Sequence, residues 1–417
     1  MSIYELPSSV SWPKGWRNLP LWALFDRIKD VGHPAEDMLS VYREYGVILK
    51  SSRDDNTNQT AENRNIYQLI DNGWLVVNRM KAWQGSVGIS PLRGIVSGHY
   101  ICFRPGHGED PRFLNWLLRS GVYTLEYGRM SRGVRPGQVE IDNDELRGLR
   151  VALPSLEEQR RIADFLDSET ARIDQLAAMQ KTIQVAVEAR IVAQVDLKIE
   201  ELAETYGTLP FRRMIWSIEQ GVSPQCDNFS AGHDDWGVLK VSAVKNGVFF
   251  EDENKQLPAN IQPERRYEIK SGDLLITRAN TPQLVGAAAV ADSPRPKLML
   301  CDKIFRIAPS SDLLPHFLVH MSLGTRIRAM CAEASHGSSQ SMMNLKIEEI
   351  KRWPIPAAGL SVQQSTVKEL SGAREHAAAL TSAIDDQLAL LAERRQALIT
   401  AAVTGQIDVT TARGAAV

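Results

Sequence analysis

The sequence predicts an α+β protein built twice, with two similar globular domains separated by two long antiparallel helices. The helices are expected to pair as an intrachain coiled coil, giving a pseudo-twofold internal repeat. Three observations predict this. Residues 156–202 hold neither Pro nor Gly and are rich in Ala, Glu, Gln, Leu and Arg, all good helix formers. A second stretch of the same character covers 361–404. Matching residues recur about 204 positions apart over most of the chain, as in Pro111/Pro315, Phe113/Phe317, Leu114/Leu318, Gly133/Gly337 and Leu146/Ile350, the signature of an internal repeat.

The first helix carries apolar residues at Ile162, Phe165, Ile173, Leu176, Ile183, Val187, Ile191, Val195, Ile199 and Leu202. Those steps of three and four draw one stripe along a helix. At about 1.5 Å per residue the segment is roughly 70 Å long, too long for one compact domain to wrap, so its stripe must face another long helix. The second stretch supplies Val367, Leu370, Ala377, Leu380, Ile384, Leu388, Leu391, Leu398 and Ala402. The expected seam packs Ile173, Leu176, Ile183, Val187 and Ile191 against Ile384, Leu388, Leu391 and Leu398. Gly372 marks a candidate break in the second helix. Gln159/Gln364, Glu188/Glu393 and Arg190/Arg395 are each 205 apart, so the helices belong to the repeat too.

The first globule covers 1–155. Residues 74–80, 86–90 and 98–106 have the β-branched and aromatic content of strands, and Gly and Pro punctuate them. A helix is expected at 111–120, followed by a Gly- and Arg-rich loop at 128–138. Residues 156–204 form the first long helix. The second globule, 205–357, repeats the order, with strands in 236–244, 272–280 and 297–309, a helix at 315–324 and a polar loop at 335–344. The second long helix takes 358–405 and a tail takes 406–417.

Composition narrows the function classes. Formal net charge is −2, which does not advertise nucleic acid. By region, 1–155 has 19 Lys+Arg against 17 Asp+Glu and 205–357 has 18 against 16, so acid collects on the helices. Four scattered cysteines without a CxxC suggest neither zinc nor disulfides and fit a reducing cytoplasm. The N-terminus lacks the basic and apolar regions of a secretion signal, and no apolar run of about 18 residues predicts a membrane span.

In these motifs the chain resembles the specificity (S) subunit of Type I restriction-modification systems. The resemblance runs over nearly the whole sequence. It is most specific at 153–176, LPSLEEQRRIADFLDSETARIDQL, at 353–364, WPIPAAGLSVQQ, and at 390–408, LLAERRQALITAAVTGQID. It implies that the globules are target-recognition domains, each reading one half of a split double-stranded DNA target. The helices would bind two modification (methyltransferase) subunits and set the gap, and two restriction subunits would join for cleavage. It also implies no cofactor on this chain, with S-adenosylmethionine on the methyltransferase subunit, and ATP and Mg on the restriction subunit.

Candidate DNA contacts are the donor-rich residues at matching places in the two copies. Arg129, Arg132, Arg135 and Gln138 lie in the first loop, and Ser338, Ser339, Gln340 and Asn344 in the second. Arg suits phosphates or guanine, and Gln and Asn suit adenine. Arg79, Lys81, Arg278 and Asn280 follow predicted strands. The bland alternatives are a solvated variable loop and ordinary ion pairing at strand ends. Catalytic motifs are wanting. His316 and His320 have i, i+4 spacing without the Glu of HExxH, and the Glu-x-Lys triplets at 253–255 and 268–270 lack an upstream Pro-Asp. No phosphate-binding GxxxxGK[ST] or Asn/Asp-Pro-Pro-aromatic tetrapeptide is found. The chain therefore reads as non-enzymatic. The rival readings are an unrecognised nuclease or methyltransferase site, and a coiled-coil adaptor that binds no DNA.

Overall fold

A computed structural model describes residues 6–53, 63–133, 139–334, 336–339 and 342–409. The chain divides into two compact units. Unit 1 is 1–180 with 386–417, and unit 2 is 181–385. Each unit therefore holds one globule and half of each long helix.

Unit 1 begins with β1 (Arg17–Pro20) and β2 (Phe25–Ile28), then the hairpin of β3 (Leu39–Tyr42) and β4 (Gly46–Leu49). The strands β5 (Gln68–Ile70), β6 (Leu75–Asn78), β7 (Val87–Ile89), β8 (Gly94–Val96) and β9 (Tyr100–Pro105) follow. Next come α1 (Pro111–Leu118), α2 (Gly121–Met130), β10 (Ser131–Arg132), β11 (Glu140–Ile141), α3 (Asn143–Gly148) and β12 (Arg150–Leu153), leading into α4 (Leu156–Tyr206). The central antiparallel sheet has the order β2-β9-β6-β7, and β1 pairs with β12. Helix α1 starts where Pro111 pre-sets φ and the Asp110 carboxylate accepts from Arg112 and Phe113 N–H at 2.9 and 3.1 Å. Its Phe113, Leu114, Leu117 and Leu118 are buried in a core shared with Val77, Val87 and Phe103 of the sheet and with Ile162 and Leu166 of α4.

Unit 2 repeats the plan. It has β13 (Thr208–Pro210), β14 (Ile215–Gln220), β15 (Gly237–Leu239), the hairpin of β16 (Val244–Lys245) and β17 (Val248–Phe249), and β18 (Asn254–Gln256). Then come β19 (Asp273–Thr277), β20 (Ala279–Asn280), β21 (Ala288–Ala291), β22 (Leu298–Met299) and β23 (Ile304–Pro309). Helices α5 (Pro315–Ser322) and α6 (Thr325–Ala334) precede β24 (His336–Ser339), β25 (Met342–Asn344), α7 (Ile347–Ile350), β26 (Pro354–Pro356) and α8 (Leu360–Val403). The central sheet order, β14-β23-β19-β21, matches that of unit 1 strand for strand, and β13 pairs with β26 as β1 does with β12.

The junction of globule and long helix is built the same way in both units. Gln159, fully buried, accepts from the Asp110 N–H at 3.0 Å and donates to the Pro154 carbonyl at 3.1 Å. Gln363, equally buried, accepts from the Leu314 N–H at 2.8 Å and donates to the Ala358 carbonyl at 2.8 Å. The equivalent of Gln159 is thus Gln363, not Gln364, because the spacing at the helix start is 204 and not 205. A second clamp follows in the same register. Trp116 donates its indole N–H to Asp167 at 2.8 Å, and the corresponding His320 bonds Ser371 at 3.0 Å.

Within each unit the two long helices run antiparallel. In unit 1, Asp174 meets Arg395 at 3.1 Å and Gln180 meets Gln387 at 2.8 Å. In unit 2, Gln184 meets Asp385 and Lys198 meets Glu369, both at 3.1 Å. Ile173 and Ile384 are buried, and Val187, Ile191, Leu388, Leu391 and Leu398 are half-buried. Leu176 and Ile183 are both 45% exposed, which corrects their expected place in the seam. A two-helix seam is narrow, and a three-and-four stripe drifts around a long helix, so some of its members turn outward. Helix α8 passes through Gly372 without a break. Gly costs a helix only about 1 kcal/mol, which Leu370, packed in the core beside it, offsets.

Candidate nucleic-acid interface

Each unit places a short two-strand hairpin against the end of a central strand. In unit 1, of the residues expected as a loop, 128–130 are the last turn of α2 and 131–132 are β10, which pairs with β11. The Ile141 N–H donates to the Arg79 carbonyl at 3.0 Å, and the Arg79 N–H donates to the His99 carbonyl at 2.9 Å. The strand end after β6 and the hairpin are therefore stitched together. In unit 2 the Leu345 N–H donates to the Arg278 carbonyl at 2.9 Å, and the Arg278 N–H to the Lys303 carbonyl at 2.8 Å. Here β20, β25 and β24 form a three-stranded sheet in which Asn280 lies opposite Met343 and Ala279 opposite Asn344. The segments that carry the described members of the two proposed groups are thus stitched to each other in each unit.

The side chains differ between the copies. In unit 1, Lys81, Arg129 and Arg132 are exposed and Arg79 is half-buried. Arg129 pairs with Glu126 at 2.6 Å and Arg132 with Glu145. The Asp142 carboxyl beside them is held below its ordinary pKa by the backbone N–H groups of Glu145 and Asp144 and by Arg132. The arginine ends of both pairs are exposed and the glutamate ends half-buried. Arg79 keeps its Nε buried without a partner. In unit 2 the Arg278 guanidinium is committed to the Asp302 carbonyl at 3.2 Å, and Asn280 accepts from the Thr281 N–H at 2.9 Å. Arg278, Asn280 and Asn344 are half-buried. Ser338 and Ser339 lie in β24, and Arg135, Gln138 and Gln340 lie outside the described residues.

Sequence reasoning passed over three residues that the geometry adds. His99 and Lys303 stand at matching positions, each accepting from the arginine at the strand end. Trp83 is 41% exposed in the turn Ala82–Gln84 against which α2 packs, and its indole donates to the Met80 carbonyl at 3.1 Å. The 204 spacing carried a signal for the first two. For Trp83 the signal was an aromatic next to Lys81.

His320 is buried, with its pKa pushed down to about 4 by burial and then by Arg374 and His316. His316 is half-buried and pairs with Asp292 at 3.0 Å, so the two histidines do not converge. No group able to hold a metal occurs among the described residues. Glu253 accepts from Ser242 and Glu268 from the Lys297 N–H. The four cysteines are free, and burial raises the thiols of Cys102, Cys301 and Cys331. No described helix is long and apolar enough to cross a membrane.

The doubled sheet-and-hairpin units and the paired helices define a protein built of two similar heads. Comparison with known proteins says of which kind. Residues 27–186 match the Type I restriction modification DNA specificity domain, and the resemblance of the chain to Type I specificity subunits is borne out. It is 31% identical over 200 residues to the Type I restriction enzyme EcoEI specificity subunit of Escherichia coli, covering 46% of this chain and 34% of that one. It is 22% identical over 307 residues to the EcoKI specificity subunit of Escherichia coli strain K12, covering 70% and 63%. The matches therefore span about a third and just under two thirds of those relatives. A chain solved in work on the assembly and conformational transition of the type I R-M system shares the fold, with a TM-score of 0.69 at 18% identity over 95% of this chain and all of that one. The HsdS subunit from Thermoanaerobacter tengcongensis matches at 0.51 and 16%, over 96% and 99%.

Proposed function

We propose that this chain is the DNA-specificity subunit of a Type I restriction-modification complex. The two globules are target-recognition domains, each reading one half of a bipartite double-stranded target. The long helices bind two methyltransferase subunits and set the gap between the halves. The observation that carries this reading is the recurrence, in both units, of a hairpin stitched to a polar strand end, within a chain that bears a DNA specificity domain. In unit 1 the readers are Arg79, Lys81, Arg129, Arg132, Arg135 and Gln138; in unit 2 they are Arg278, Asn280, Ser338, Ser339, Gln340 and Asn344. The chain itself is non-catalytic and acts in the cytoplasm. S-adenosylmethionine sits on the methyltransferase subunit, and ATP and Mg on the two restriction subunits that join for cleavage.

Sequencing methylated bases in cells that carry the complete system, with and without this chain, tests the reading. A bipartite methylated motif present only with the chain is expected. Methylation that does not depend on the chain, or turnover by the purified chain alone with DNA, Mg and S-adenosylmethionine, overturns it.

A further inference from the structure

Unit 1 holds an open cleft of about 210 Å³ between the tip of the β3–β4 hairpin, α1 and the first part of α4. Tyr45, Val47, Ile89, Pro91 and Trp116 form its walls, and Arg112, Arg119 and Asp167 bring charge. Most of that charge is spent. Asp167 accepts from Trp116 at 2.8 Å through one oxygen and from Arg112 at 3.1 Å through the other, and Arg112 also pairs with Asp164 at 2.8 Å. Arg119 is different. It donates to the Arg43 and Glu44 carbonyls at 3.0 and 2.8 Å, its Nε is buried without a partner, and among the described residues it makes no ion pair. A second cation is near: Arg395 lies over the Trp116 ring at 5.8 Å and is itself balanced by Asp174. Burial and then Arg395 push the Arg119 pKa down to about 10. One guanidinium at an aromatic-walled cleft thus makes no ion pair among the described residues, and Glu44 is the carboxylate whose charge reaches it.

Unit 2 handles the same place otherwise. Leu323 stands where the repeat puts Arg119. The corresponding hairpin turn, at Asn246 and Gly247, is tied by Arg374 to the Asn246 carbonyl. It sits directly on α5, where a Cβ at Gly247 would come within 3.1 Å of Val319. In both units an arginine thus ties the hairpin turn through backbone carbonyls, but from the end of α1 in unit 1 and from α8 in unit 2, so only unit 1 brings that charge to the end of its globular helix.

We propose that the unit 1 cleft receives one carboxylate side chain, flanked by an apolar residue, from a polypeptide that docks on this unit. The volume supports a single side chain, because small-molecule and cofactor sites run roughly from 300 to 1,000 Å³. Tyr45, 57% exposed, and Leu92, exposed beside Pro91, offer the apolar contact around it. The inference rests on the proposed function in taking the methyltransferase subunit as that polypeptide.

The test uses the full chain and its methyltransferase subunit. A photo-reactive benzoylphenylalanine at position 45 is expected to cross-link to an Asp- or Glu-containing segment of that subunit. Arg119→Leu is expected to weaken the complex at least about tenfold, the loss of one charge-assisted hydrogen bond, while Arg119→Lys keeps most of the affinity. A melting curve checks that each variant is folded, and if Arg119→Leu is not, the cross-link decides. A complex that forms normally but shows no cross-link, or is unmoved by a folded Arg119→Leu, overturns the cleft alone. A chain that binds no methyltransferase subunit overturns both readings.

Discussion

Gln159 and Gln363 show how much one buried amide can carry. Each satisfies the N–H that enters a globular helix and the carbonyl that precedes a long one. Replacing either by Ala strands buried backbone groups, so about 1–3 kcal/mol of stability should be lost, measured as a lower denaturant midpoint. His320 makes a second prediction. Its pKa in the fold, about 4, lies below its ordinary 6.5. Above pH 6.5 the group is neutral folded or unfolded and costs nothing; below it the unfolded chain takes up a proton that the folded chain refuses. Stability should therefore fall as pH drops from about 6.5 to 4, and His320→Gln should flatten that slope in melts across the window. At the interface, Arg129→Ala with Arg132→Ala should relax or weaken one half of the target only, because the unit 2 hairpin carries different donors. Methylation sites of the variant check this, and equal relaxation of both halves would remove these two as readers.

At the scale of elements, the polar stretches at 128–138 and 335–344 read as loops because Gly, Ser and Arg there mask any alternation. Pairing with a central strand end makes strands of parts of them, through bonds such as Ile141 N–H to the Arg79 carbonyl and Leu345 N–H to the Arg278 carbonyl. The long helices needed no such rescue, since Ala, Leu, Glu and Gln favour them throughout. If α4 sets the gap, inserting four residues between Ala186 and Val187 lengthens it by about 6 Å, near two base pairs of roughly 3.4 Å each. Four residues are slightly more than one turn, so the stripe nearly keeps its phase. An active variant should methylate the same half-sequences with a gap longer by one or two base pairs, at some cost in stability as the pairing register shifts. Sequencing the methylated sites reads this out, and an unchanged gap in a folded, active variant would falsify the ruler.

For the whole molecule, each unit carries its own core and its own half of both helices. Leu176 and Met179 in unit 1, and Ile183, Val185 and Leu197 in unit 2, leave apolar surface on the helices exposed. Such surface suits a partner, and with one stretch in each unit the chain is expected to bind two methyltransferase subunits. Light scattering of the assembled complex should give that ratio, and a stable complex with one copy at partner excess would contradict it.

The duplication, the two long helices and most central strands were legible in the sequence because they rest on local chemistry: helix propensity, β-branched runs, and residues that recur at a steady spacing. Trp116 and His320, or Asp167 and Ser371, could not be matched by type, since the clamp they form conserves a hydrogen bond and not a side chain. Periodicity likewise marked Leu176 and Ile183 as seam residues, but which members of a stripe turn inward depends on the partner helix and its phase. Arg119 is the furthest from legible. On the sequence it is one more arginine at a helix end; only the packing of a hairpin, α1 and α8 around it decides that it donates to turn carbonyls and makes no ion pair among the described residues.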